Sequence, residues 1–117
     1  METTEKYEII MAFVSDVRPT REYLEEIWNT AILEEFKKSG TYVNVMIDER
    51  SLICVDCPKD EQVYVITSIR NPQQTPDQDA YYNSLGNILF KVRELLDSPY
   101  TLISIDTVYV SFFPYHP

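Results

Sequence analysis

Cys54 and Cys57 stand in Cys-Val-Asp-Cys-Pro, a C-x-x-C spacing that serves either zinc binding or thiol redox chemistry. No second pair follows, and the single histidine, His116, stands beside the last residue, so the chain offers half of a zinc site and no metal is expected. Redox pairs of this kind sit at a helix N-terminus, whereas this one ends an apolar β-like run at 52–55 and meets Pro58. A half-buried Cys54 and a turn Cys57 account for it; a metal shared between subunits is the alternative. Arg18 and Arg70 hold comparable places at two strand ends, where a pair of guanidinium groups can grip a carboxylate bidentately or pair with carboxylates such as Asp16 or Asp79. Asp48 and Asp106 are candidate acid–base carboxylates, or turn formers. Tyr64 and Tyr109 are candidate pocket phenols, or packing residues. One histidine at a chain end argues against a Ser-His or Cys-His nucleophile.

Residues able to do chemistry need elements to hold them. The 117 residues fit one domain, 1–117, and a hydrophobic content of 44% is enough for a core. Two glycines argue against a phosphate-cradling loop. A net charge of −9 and a pI near 4.4 argue against direct nucleic-acid binding. The surplus carboxylates keep a protein soluble or face a basic protein partner. No apolar run reaches the length of a membrane span and the start does not resemble a signal peptide, so a cytoplasmic protein without membrane attachment is expected.

Residues 1–6 are polar and expected to fray, and 7–16 are expected to form a strand buried on both faces. Thr20 can cap a helix whose stripe is Leu24, Ile27, Trp28, Ala31, Ile32 and Phe36, with Gly40 as the stop. Residues 42–47 alternate as a strand, 48–50 form a polar break, and 52–55 resume β character, which predicts a hairpin. Residues 63–68 form a further strand. Asp77 can cap a second helix with the stripe Tyr81, Leu85, Ile88, Leu89, Val92, Leu95 and Leu96, ended by Pro99. A strand over 102–113 changes phase near Asp106, predicting a bulge.

Tyr42, Val45, Ile47 and Asp48 align with Tyr100, Ile103, Ile105 and Asp106 at a constant offset. Each stretch follows a helix, and each helix follows a β run. The expected architecture is a two-layer α+β sandwich of two pseudo-repeated βαβ units, about 7–57 and 62–113, with a ferredoxin-like βαββαβ fold as the alternative.

Several phrases resemble the tautomerase superfamily, in its macrophage migration inhibitory factor-like form with two βαβ units in one chain. Arg18 follows the first strand and precedes Thr20; Leu96-Asp97-Ser98-Pro99 leads to Ile103 and Ile105; and Val65-Ile66-Thr67-Ser68-Ile69 is similar to a pocket strand. The resemblance implies a homo-oligomer, a trimer ahead of a dimer, and pocket positions at Arg18, Lys38 and Ile69. That family works through an N-terminal proline amine, but residue 2 here is Glu2 and the matching position falls inside the chain near Glu8. The expectation is therefore a non-catalytic binding protein on a tautomerase-like scaffold, without a cofactor. The alternatives are an isomerase holding a small anionic ligand with Arg18 or Arg70, and an acidic inhibitor or immunity-type protein.

Overall fold

The computed structural model describes residues 1–13 and 18–116. Its elements run β1 (Glu2–Ala12), α1 (Arg21–Ser39), β2 (Met46–Ser51), β3 (Gln62–Ile69), α2 (Gln78–Leu95) and β4 (Tyr100–Val110). The four strands form one sheet in the order β2-β3-β1-β4, with every neighbouring pair antiparallel. This is the ferredoxin-like arrangement, not the tautomerase-like one. The physical reason is the β2–β3 hairpin, which folds β3 in between β2 and β1. The two strands joined by α1 therefore run the same way without touching.

Both helices rest on one face of the sheet. Tyr7, Ile9 and Met11 of β1 alternate inward, as do Tyr64 and Ile66 of β3. They meet Leu24, Trp28 and Ala31 of α1 and Tyr81, Leu85, Ile88 and Val92 of α2. Thr20 Oγ1 accepts the Tyr23 N–H at 3.1 Å, and Gly40 stops α1 at φ 72°, in the left-handed region that glycine enters without strain. Asp77 Oδ1 caps α2 through the N–H groups of Asp79 and Ala80. None of the helices is long and apolar enough to cross a membrane, among the described residues.

Three sequence expectations differ from the structure. The first strand starts at Glu2 because its polar residues find partners: Thr4 Oγ1 donates to Arg70 O at 2.8 Å and Glu5 pairs with the Arg70 guanidinium. The part of that expected strand at 14–16 lies outside the described residues. The supposed polar break at 48–50 is the middle of β2, paired with Val65, Tyr64 and Val63. β2 is an edge strand, and charge on an edge is tolerated because it faces water. The hairpin loop is instead 52–61, closed by Leu52 N–H to Glu61 O at 2.9 Å. β4 pairs with β1 residue for residue from Glu2↔Val110 to Ala12↔Tyr100, with no bulge. Its alternation lapses because it lies on the other edge with both faces open, where no core enforces a period of two.

Candidate active site

The C-terminal end of β1, the start of α1 and the α2–β4 turn enclose an open cleft of about 890 Å³. Phe13 and Pro19 form one side, Tyr23 stands on the first turn of α1, and Arg93, Asp97, Ser98, Tyr100 and Thr101 form the other. The Tyr23 and Tyr100 rings are exposed. Phe13 is steadied by an edge-on contact with Tyr64 at 6.2 Å. Tyr64 in turn donates from its hydroxyl to Pro19 O at 2.6 Å, fixing the approach to α1. Burial pushes the Tyr64 phenol up, partly offset by Arg18, whose guanidinium carbon lies 5.0 Å from the ring centre.

The α2–β4 turn is the strained part of the cleft. Asp97 and Ser98 hold φ values of 61° and 53°, two successive non-glycine residues in the left-handed region. Each costs roughly 1–3 kcal/mol and persists only where its surroundings fix it. Here the fixing is explicit. The Ser98 N–H donates to Arg93 O at 2.7 Å. Arg93 Nε donates to Thr101 Oγ1 at 3.0 Å and Nη2 to Pro99 O at 3.2 Å. The cleft thus gathers one carboxylate, Asp97, two tyrosines, Tyr23 and Tyr100, and one arginine, Arg93. Such a set can take a flat heterocycle on the rings, a cation on Asp97 and an anionic group near Arg93.

A second hollow of about 530 Å³ lies on the other side of Phe13 and contains Arg18, Cys57 and the acidic residues Asp56, Asp60 and Glu61. Arg18 also pairs with Glu49 at 2.9 Å; the Asp16 partner considered for it lies outside the described residues. Arg70 is inside the protein. Its Nε and Nη2 donate to Glu5 Oε1 and Oε2 at 2.7 and 3.3 Å, and its Nη1 donates to Thr75 O and Pro76 O. The Glu5 hydrogen bonds push the Arg70 pKa up. Ile69 ends β3 half-buried, with its carbonyl accepting from Asn44 Nδ2 at 3.0 Å. Lys38 is exposed on the last turn of α1 and lines a separate groove with Glu34 and Asn87. Asp48 and Asp106 are on opposite edges of the sheet and both are exposed. Tyr109 is exposed on β4.

Sequence reasoning passed over Tyr23, Arg93 and the chemistry of Asp97. A signal for the last was present: α1 ends in Gly40, while α2 ends in Asp97-Ser98 with no glycine to take the left-handed turn.

A model of the SAM lyase family matches residues 2–114. A phage SAM lyase in complex with S-methyl-5'-thioadenosine shares the fold, with 10% identity, 95% of this chain and 93% of that chain covered, and a TM-score of 0.56. A CPII protein from Thiomonas intermedia bound to ADP, AMP and acetate is 12% identical over 94% of this chain and 90% of that one, with a TM-score of 0.49. The de novo designed protein Foldit4 is 17% identical over 93% and 98%, with a TM-score of 0.48. No curated protein sequence matches. The family match overturns the tautomerase resemblance, whose phrases were short and rested on element order that a ferredoxin-like chain shares. It also overturns the expectation of a non-catalytic binder, drawn from the missing proline amine and the surplus negative charge, and with it the alternatives of an isomerase built on Arg18 or Arg70 and of an acidic inhibitor. Matched over nearly its whole length, the chain belongs to the SAM lyase family.

Proposed function

We propose that this protein degrades S-adenosylmethionine by lyase cleavage, and that the cleft at the α2–β4 turn holds the substrate. The family match over residues 2–114 carries this reading. The bound molecule of the phage relative, S-methyl-5'-thioadenosine, supports it, because that is what leaves when the sulfonium breaks from its amino-acid side chain. The sulfur departs as a neutral thioether, so the step needs no acid. A lyase adds no water, so the electron pair that displaces sulfur comes from within the substrate. The substrate's own carboxylate can reach the γ-carbon by closing a five-membered ring: the O–C bond forms as the C–S bond breaks, and sulfur keeps the pair. Such chemistry runs without a histidine or an amine base, which is why a chain with one histidine can perform it.

In this reading Tyr23 and Tyr100 take the adenine, Asp97 faces the positive charge, and Arg93 steers the carboxylate toward the carbon it attacks. The substrate carries a sulfonium, an ammonium and one carboxylate, a net positive charge. A protein of charge −9 draws it in, contrary to the small anionic ligand first expected. Arg18 lines the second hollow and pairs with Glu49, outside this cleft, while Arg70 serves stability. The assembly is a homo-oligomer, with a trimer as the first arrangement to test. Its support is β4, whose Leu102, Ile103, Ile105 and Tyr109 are exposed along an unpaired edge. The proposed site of action is the cytoplasm.

The test is a set of variants assayed with S-adenosylmethionine. Asp97→Asn, which keeps a side chain suited to φ 61° but removes the charge, and Tyr100→Ala should each lower turnover efficiency at least tenfold with little change in melting temperature. Full activity in both variants would remove this cleft as the site.

A further inference from the structure

The β2–β3 hairpin loop carries a cluster that the cleft chemistry does not use. Cys54, Asp56 and Cys57 bring their sulfur and carboxylate oxygen atoms within 4.8 Å of one another. A tight turn does this: the Cys57 N–H donates to Cys54 O at 3.3 Å, and the two Cα atoms are 5.1 Å apart. The sulfurs are joined as a disulfide. The Asp56 carboxylate lies 3.5 Å from Cys54 Sγ. Zinc bonds of ~2.3 Å to sulfur and ~2.0 Å to oxygen, at the tetrahedral angle, leave their donors roughly 3.5 Å apart. The turn therefore already spaces a sulfur and an oxygen as one edge of a zinc shell. Asp60 and Glu61 line the same hollow as Cys57 and add negative potential around it.

We propose that, once its disulfide is reduced, the hairpin tip binds a thiophilic divalent cation of the zinc class through Cys54, Asp56 and Cys57, leaving a fourth position open to water. Disulfide and metal exclude each other. Two equivalents of a thiol reductant convert the disulfide to a dithiol and themselves become a disulfide. The dithiol then loses two protons as two metal–sulfur bonds form, and a disulfide oxidant reverses both steps. The sequence supplied only half of a zinc site. What the structure adds is Asp56 as a third ligand, brought round by the turn.

The whole chain, reduced with a phosphine and freed of metal, is titrated with cobalt(II) under nitrogen. The expected result is a thiolate-to-cobalt charge-transfer band with tetrahedral visible bands, saturating at one metal per chain and abolished by zinc. The oxidised protein should show neither band. Cys54→Ser should remove the charge-transfer band's full intensity. Asp56→Asn should weaken binding at least ~10-fold, since even outer-shell partners of a metal are worth that much. These positions are in an exposed loop, and circular dichroism checks that each variant folds. Absence of the bands in the reduced protein, an unweakened Asp56→Asn, or saturation at half a metal per chain would each overturn the proposal. Turnover of S-adenosylmethionine is not among the readouts, so failure of that reading leaves this one standing.

Discussion

Glu5→Gln removes the countercharge of a buried arginine while keeping its shape. The two side chains are 10% and 7% exposed, and the carboxylate meets the guanidinium through both oxygens. Arg70 stays in place after the change, because Thr75 O and Pro76 O still accept from Nη1 and its backbone N–H still donates to Glu5 O at 3.2 Å. Breaking a buried pair from one side costs about 3–5 kcal/mol, because a desolvated charge is left without its partner. The Gln carbonyl retains one hydrogen bond, which places the cost near the lower end, about 3 kcal/mol. For a domain of this size each kcal/mol moves Tm by about 4 °C, so a fall of roughly 12 °C is expected. Thermal unfolding followed by circular dichroism at neutral pH measures it. The double variant Glu5→Leu, Arg70→Met removes both desolvated charges and should recover most of the loss. A fall of less than about 3 °C for Glu5→Gln, or a double variant worse than the single one, would refute the reasoning. Because Arg70 is inside the protein, its variants should alter stability and leave the Michaelis constant for substrate alone.

Three further outcomes are expected of the buried phenols, the α1 cap and the β4 edge. Burial raises the phenols of Tyr7, Tyr64 and Tyr81 above their ordinary value of 10.0, with the Ser68 hydrogen bond pulling Tyr81 the other way. The neutral phenol is then favoured by folding, so this stability is complete below the unfolded value and lost as pH rises through the folded ones; Tm should hold to about pH 9 and fall steeply above about pH 10. Thr20→Ala strips the acceptor from the Tyr23 N–H at the start of α1, and chemical denaturation should show a loss of about 1 kcal/mol. Ile105→Lys puts a charge in the middle of the exposed β4 edge, where Ile105 is 52% exposed in a single chain; light scattering after size exclusion should show a smaller assembly, with an unchanged circular dichroism spectrum.

The helices were legible because both obey local rules. Thr20 and Asp77 cap them, Gly40 stops the first, and the apolar stripes repeat at helical spacing over about three to four turns. The strands were less so. Asp48, Glu49 and Arg50 carry every mark of a turn, yet an edge strand accepts them because only one side of it needs a partner. Strand order was the deeper failure. A β-α-β unit reads the same whether its strands are neighbours or are parted by a third, and only the long-range pairing of β1 with β3 decides. The cleft was half legible: Leu96-Asp97-Ser98-Pro99 stood out as a phrase, but the role of Asp97 depends on Arg93 and Thr101 holding its turn, eight residues apart in sequence. Arg18 and Arg70 looked equivalent because each follows a β-rich run and stands one or two residues before a proline. Their surroundings separate them, since one guanidinium lies over an aromatic ring beside a hollow and the other is locked to Glu5.

In the proposed reaction this protein breaks the bond between sulfur and the amino-acid side chain of S-adenosylmethionine without adding water. Incubating the purified chain with the substrate in heavy-oxygen water, and following products by chromatography and mass spectrometry, tests it most directly. S-methyl-5'-thioadenosine should accumulate as substrate disappears, with no heavy oxygen in the amino-acid fragment at the moment of release. Intact substrate, release of adenine, or a fragment born carrying heavy oxygen would contradict it.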